Sequence, residues 1–158
     1  CEAEYKNVDE AFQIVNELDS QKYEIWYMSY NGKSKPQYRV DNFLHKVPYE
    51  KVAEVYQQCH ILLKTSLLES FSYPPLEMMA TGGYVVAVPN DGNAEYMVDE
   101  YNCLLYSAGD LDKAKEQIER ICQDENLRKK LTENAQKTVA ERDWKNIEPE
   151  NPCILSIR

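Results

Sequence analysis

Apolar positions along the chain fall into short continuous runs alternating with longer periodic ones. DEAFQIVNEL (9–18) carries apolar residues at 11, 12, 14, 15 and 18, one face of a helix. YEIWYMS (23–29) is aromatic and β-branched, and with YRVDNFL (38–44) it reads as a pair of strands. Pro48 opens the helix YEKVAEVYQQC, and HILLKTS (60–66) is a short buried strand leading into ESFSYPPLEMMATGG (69–83), a loop followed by a helical stretch with a Gly-Gly stop. YVVAV (84–88), the turn PNDGN, a short helix AEYMVD (94–99) and the strand NCLLYS (102–107) follow. Two charged helices, DLDKAKEQIERICQ and ENLRKKLTENAQKTVAERD, come last. Nearly all-apolar strands alternating with amphipathic helices predict an α/β domain, a doubly wound and mostly parallel sheet covered on both sides.

Both chain ends break this alternation. CEAEYKNVDEAF enters a helix with no strand before it, whereas PENPCILSIR ends the chain on a strand-like CILSI. Joined tail to head, the two supply a strand, a loop and a helix in the order with which a Rossmann-like half begins. Chain ends of compact domains often lie close together, so such a permutation is tolerable. The expectation is a six-stranded sheet in which residues 153–157 form a central parallel strand between those at 23–28 and 60–65.

The chain has 158 residues, 43% hydrophobic and 28% charged, which fits a single domain over 1–158. A formal charge of −9 argues against nucleic acid as a partner, so any anionic ligand needs local donors. No apolar run is long enough to cross a bilayer. Five cysteines without a C-x-x-C pair read as free thiols of the cytoplasm, and with two histidines they make a zinc site improbable.

Chemistry concentrates in ESFSYPPLE. The segment follows a strand and opens a helix, on the edge where open parallel sheets bind ligands. Pro75 suits a first helical turn, which would leave the amides of Leu76, Glu77 and Met78 facing the loop as a phosphate seat. Carboxylates repel phosphate but accept well from hydroxyls, and a syn diol spans both oxygens. Glu69 and Glu77 beside a phosphate seat therefore suit a ligand with a diphosphate centre and hydroxyl-rich ends. Read singly, Glu77 is equally an acid favoured in a first helical turn, and Glu69 a solvated loop acid. Lys64, at a strand end, reads either as a phosphate ligand or as an edge lysine whose head reaches water. Asp110 to Asp112 (DLD) has the look of a metal motif, but its place at the start of an acid-first helix says helix cap.

ESFSYPPLEMMATGG resembles the E-x-F-G-x-P-x-x-E-A-M-A-x-G motif of the retaining GT-B-fold glycosyltransferases, the large family that includes sucrose and mannosyl-lipid synthases. The resemblance extends through VDNFLHKVPYEKVAEVYQQCHILLKTS, PNDGNAEYMVDEYNCLLYSAGDLDK and the YKN start. It implies that Glu69 meets hydroxyls of the transferred sugar and that Glu77 holds the ribose diol. Backbone amides around Phe71, Ser72 and Tyr73 match those that cradle the distal phosphate and sugar. The diphosphate clamp falls on Lys6 and, in the permuted order, Arg158, while Val47 matches a backbone position near the base. Ser70 and Ser72 depart from common glycines, His45 from a glycine and His60 from an aspartate; for both histidines a surface or strand-edge role is expected.

The function implied is the donor-binding domain of a hexosyltransferase, metal-independent and without cofactor, which moves a sugar from a nucleoside diphosphate sugar to an acceptor hydroxyl with retention. Polysaccharide or glycolipid synthesis is the expected setting, with the inner membrane face as one place for the full enzyme. The acceptor-binding domain is missing from this sequence, so the chain alone is expected to be inactive. Two alternatives stand beside this one. They are a domain of a GT-B nucleotide-sugar epimerase and a non-catalytic regulatory α/β module.

Overall fold

The computed structural model describes residues 4–142. A 3-10 turn at Glu4–Lys6 leads into α1 (Val8–Asn16) through Asn7, whose φ of 50° lies in the left-handed region that asparagine tolerates better than most residues. Strand β1 (Trp26–Ser29) pairs in parallel with β2 (Asn42–His45), in the register Trp26 to Asn42. After α2 (Tyr49–Gln58), a second parallel sheet forms from β3 (Ile61–Lys64), β4 (Tyr84–Ala87) and β5 (Leu104–Leu105), in the order β3-β4-β5. Helix α3 (Tyr73–Ala80) joins β3 to β4, and the single turn α4 (Asp91–Ala94) follows β4. Helices α5 (Leu111–Gln123) and α6 (Glu125–Glu141) close the described chain.

The sheet is covered on both faces. Val86 and Val88, with Leu104 and Tyr106, pack against Phe12, Ile14 and Val15 of α1 and Ala114, Ile118 and Ile121 of α5. Val85 and Ala87 face the other way, onto Tyr56 of α2, Met78 and Met79 of α3 and Ala135 of α6. An unbroken YVVAV run is what a strand buried on two faces requires. The doubly wound α/β expectation therefore holds.

Several element bounds differ from expectation, each for a local reason. Residues 38–41 do not extend β2. Tyr38 stacks on Phe12 at a centroid separation of 3.7 Å, and the Arg39 guanidinium donates to the carbonyls of Leu18 (2.7 Å) and Tyr23, groups that the end of α1 and the following loop leave over. The short helix expected over 94–99 does not form; a single turn at Asp91–Ala94 stands in its place, because the Asn90 N–H donates to Asn93 Oδ1 at 3.0 Å and turns the chain there. Among the described residues β1 and β3 contribute to one core cluster but share no ladder hydrogen bonds. The strand expected at 153–157 lies outside the described residues.

Asp110 is the N-cap of α5, its Oδ1 accepting from the Lys113 N–H at 3.0 Å, as its place in the sequence led us to expect. Asp110→Ala is expected to cost about 1 kcal/mol of unfolding free energy. Denaturant titration reads this as a lower midpoint at constant slope; an unchanged midpoint would show that the cap contributes nothing.

Candidate functional site on the carboxyl edge of the second sheet

The loop between β3 and α3 is clamped from two sides. On one side the Leu67 N–H donates to Tyr5 O (2.8 Å) and Thr65 Oγ1 to Lys6 O (3.1 Å), which ties the 3-10 turn to the loop. On the other, Asn90 Nδ2 donates to Ser66 O (2.8 Å) and the Ser72 N–H to Gly92 O (3.0 Å). The Tyr96 hydroxyl donates to Ser72 O from below. Gly92 is packed so closely that a Cβ there would stand 2.4 Å from Glu69 O and 2.7 Å from Glu69 Cβ. Glycine is needed at this position because the loop's own backbone passes over it.

This clamp brings Glu69, Lys6 and Lys64 together. Lys6 Nζ donates to both carboxylate oxygens of Glu69, at 2.7 and 2.8 Å, and Lys64 Nζ donates to Oε1 and to Ser66 Oγ. The Glu69 side chain is 12% exposed, that of Lys64 13% and that of Lys6 24%. Burial works to raise the Glu69 carboxyl, but the hydrogen bonds from Lys6 and Lys64 outweigh it and hold the group below the usual carboxylate range. Glu69 is therefore neither surface decoration nor a solvated loop acid. Two ammoniums on one carboxylate make a locally positive spot in a chain whose formal charge is −9.

The helix start differs from expectation. The first helical residue is Tyr73, not a position near Pro75, so Pro74 and Pro75 occupy helical positions two and three and carry no N–H. Leu76, Glu77 and Met78 fall on positions four to six, where the regular i to i−4 pattern uses their amides. Those three amides do not form the seat predicted for them; Tyr73 is the one residue of the first three helical positions with an N–H to offer. Ser72, the N-cap, has its N–H on Gly92, and its buried Oγ has no partner among the described residues. The rings of Phe71 and Tyr73 meet edge to face at 4.8 Å, Phe71 half-buried and Tyr73 63% exposed.

Glu77 lies one turn along α3, half-buried against α2, where the Tyr56 hydroxyl donates to it. Burial pushes the Glu77 carboxyl above its ordinary value, and the Tyr56 hydrogen bond offsets only part of that rise. Val47 stands in the turn between β2 and α2, just after Lys46 at φ 53°, also on a carboxyl edge. Among the described contacts none joins Glu77 or Val47 to the Glu69 cluster. His45 and His60 are exposed, in keeping with surface roles. Arg158 lies outside the described residues.

Gly92, Asn90 and Tyr56 are supports that the sequence reading did not single out. A glycine inside a turn-rich PNDGN run looks like ordinary turn chemistry, and only the packing of α4 beneath Glu69 reveals its steric role. A cleft beside the start of α1, walled by Glu4, Asn7, Asp9, Tyr27, Lys35 and Tyr38, contains neither Glu69 nor Glu77.

A model of the family described as Glycosyl transferases group 1 matches residues 39–138. An uncharacterized glycosyltransferase of Methanocaldococcus jannaschii is 25% identical over 164 residues, covering 97% of this chain and 43% of the relative's length. Among solved structures, Anabaena HepE in complex with UDP-glucose superposes with a TM-score of 0.76 at 18% identity, over 89% of this chain and 42% of that one. The C-terminal domain of the group 1 glycosyl transferase LpcC from Francisella tularensis gives 0.63 at 16% identity, over 88% of this chain and 80% of that one. The fold is thus the Rossmann-like half of a GT-B architecture, and the chain spans less than half the length of the relative and of HepE.

Proposed function

This chain belongs to the Glycosyl transferases group 1 family, and we propose that it is the donor-binding domain of an enzyme that moves a sugar from a nucleoside diphosphate sugar to an acceptor hydroxyl. The observation that carries the proposal is the Lys6–Glu69–Lys64 cluster on the carboxyl edge, beside the start of α3. Lys6 meets the diphosphate, Glu69 takes hydroxyls of the transferred sugar, and Glu77 binds the ribose diol. Phe71, Ser72 and Tyr73 form the wall at the distal phosphate. The amide of Ser72 is held by Gly92, so within that wall the free backbone donor is sought at Tyr73. Val47 lines the base and Arg158 completes the diphosphate clamp.

In the same reading the leaving diphosphate is stabilised electrostatically, without a metal, and transfer retains configuration at a hexosyl anomeric carbon. The acceptor-binding half lies in the remainder of a longer protein, and the setting is cytoplasmic polysaccharide or glycolipid synthesis. No described helix is long and apolar enough to cross a membrane.

Calorimetry with UDP, GDP and dTDP, followed by their glucose and mannose conjugates, tests the assignment. Binding of one diphosphate, tightened by its sugar, is expected; a chain that binds none refutes it. The pH dependence adds a second check. Glu77 accepts from the ribose only when charged, and its folded-state pKa is raised, so nucleotide affinity should fall on acidification from a higher pH than an ordinary glutamate would give. Glu69, held below its ordinary value, stays charged over that range. On acidification the affinity for the sugar conjugate, whose diphosphate is a diester with no proton of its own to take up near neutrality, should therefore begin to drop before an ordinary glutamate would titrate. The drop should vanish in Glu77→Gln.

A further inference from the structure

Glu69 has two cationic partners where one would neutralise it, and the two are not equivalent. Lys6 arrives from the 3-10 turn, 63 residues away in sequence, and its side chain is 24% exposed. Lys64 stands five residues before Glu69, at the end of β3, is 13% exposed, and is tied as well to Ser66 Oγ. An ammonium this buried is costly to leave without an anion, whereas the more exposed Lys6 can exchange Glu69 for another anion at the site mouth. We propose that Lys64 is a positioning residue, the resident counter-ion of Glu69, which keeps that carboxylate in place while Lys6 turns to the diphosphate of the donor. The inference rests on the donor-site reading above.

The charges make the exchange self-consistent. Burial holds the Lys64 ammonium below the usual lysine range, the bond from Glu69 works against that, and the nearby charge of Lys6 adds to it. When Lys6 moves toward a diphosphate, its repulsion of Lys64 weakens and the Lys64–Glu69 pair tightens. Without Lys64, Glu69 would keep Lys6 as its one cationic partner among the described residues, and ligand and carboxylate would compete for a single cation.

The test is a set of UDP titrations by calorimetry, using GDP or dTDP instead where the wild type prefers one of them. Lys64→Met keeps the stem and removes the charge; affinity should fall about fivefold, equivalent to about 1 kcal/mol, because Glu69 then retains Lys6. Adding Glu69→Gln to Lys64→Met removes the competing carboxylate and should restore wild-type UDP affinity. Lys64→Arg keeps the charge and should bind UDP as the wild type does. A Lys64 that touches phosphate directly, or that merely supports the fold, predicts no recovery in the double variant, and that result overturns the proposal. So does a Lys64→Met variant with wild-type affinity, or a Lys64→Arg variant as weak as Lys64→Met. A wild type that binds none of the three diphosphates overturns the donor-site reading and this one together. Wild-type binding without recovery in the double variant overturns the role of Lys64 alone.

Discussion

Gly92→Ala is expected to displace the Glu69 loop, lower stability by about 1–3 kcal/mol and weaken UDP-glucose binding by about tenfold or more. The new methyl would stand 2.4 Å from Glu69 O and 2.7 Å from Glu69 C, distances that a backbone cannot absorb without shifting. Alanine is worth about 1 kcal/mol more than glycine inside a helix, but α4 is a single turn, and a clash with backbone outweighs that gain. The shift falls on the residue whose placement the site depends on, since the Ser72 N–H and the Glu69 carbonyl both rest on this glycine. Ile121→Val, a buried change in α5 with a cost of about 1 kcal/mol, serves as the control: it should lower stability and leave binding intact. Gly92→Ala that binds UDP-glucose like the wild type, measured where both are folded, would remove this loop from the site.

Glu77→Gln should weaken bare UDP by about tenfold or more, because two charge-assisted hydrogen bonds to a ribose diol, each worth roughly 1.5–3 kcal/mol, lose their charge. A glutamate serving only the helix and Tyr56 predicts a different result, a loss of a few tenths of a kcal/mol in stability with binding untouched. Glu69→Gln should behave in the opposite way. It releases Lys6, so bare UDP binds at least as well as in the wild type, while the extra affinity conferred by glucose shrinks. In an assembled enzyme it should also reduce turnover, since contacts to the reacting sugar act at the transition state. Titrating both variants with UDP and with UDP-glucose gives four affinities. Equal losses for both ligands in both variants would reject the division of labour between the two acids.

The periodicity of residues 9–18, the unbroken run 84–88 and the charged helices after Asp110 were enough to read a doubly wound α/β domain, because burial on one face or on two leaves its own mark in the order of apolar residues. The loop ESFSYPPLE was legible for a similar reason: a strand, then acids, aromatics and prolines, then a helix is a local pattern that states which sheet edge it occupies. Local pattern did not reveal where the helix begins, since either proline of YPP suits a first turn and the choice of Tyr73 moved three amides into the helix. Nor did it reveal which charges meet. Lys6 and Glu69 are 63 residues apart, and the two readings of Lys64 were equal until the fold set its ammonium on Glu69. The sequence by itself determined the class of fold, the sheet edge on which the ESFSYPPLE loop lies and the residue types available there. The tertiary structure alone decided that Glu69 is buried between two lysines, that Gly92 supports it and that Tyr56 reaches Glu77, because contact between distant segments depends on how elements pack and not on spacing along the chain.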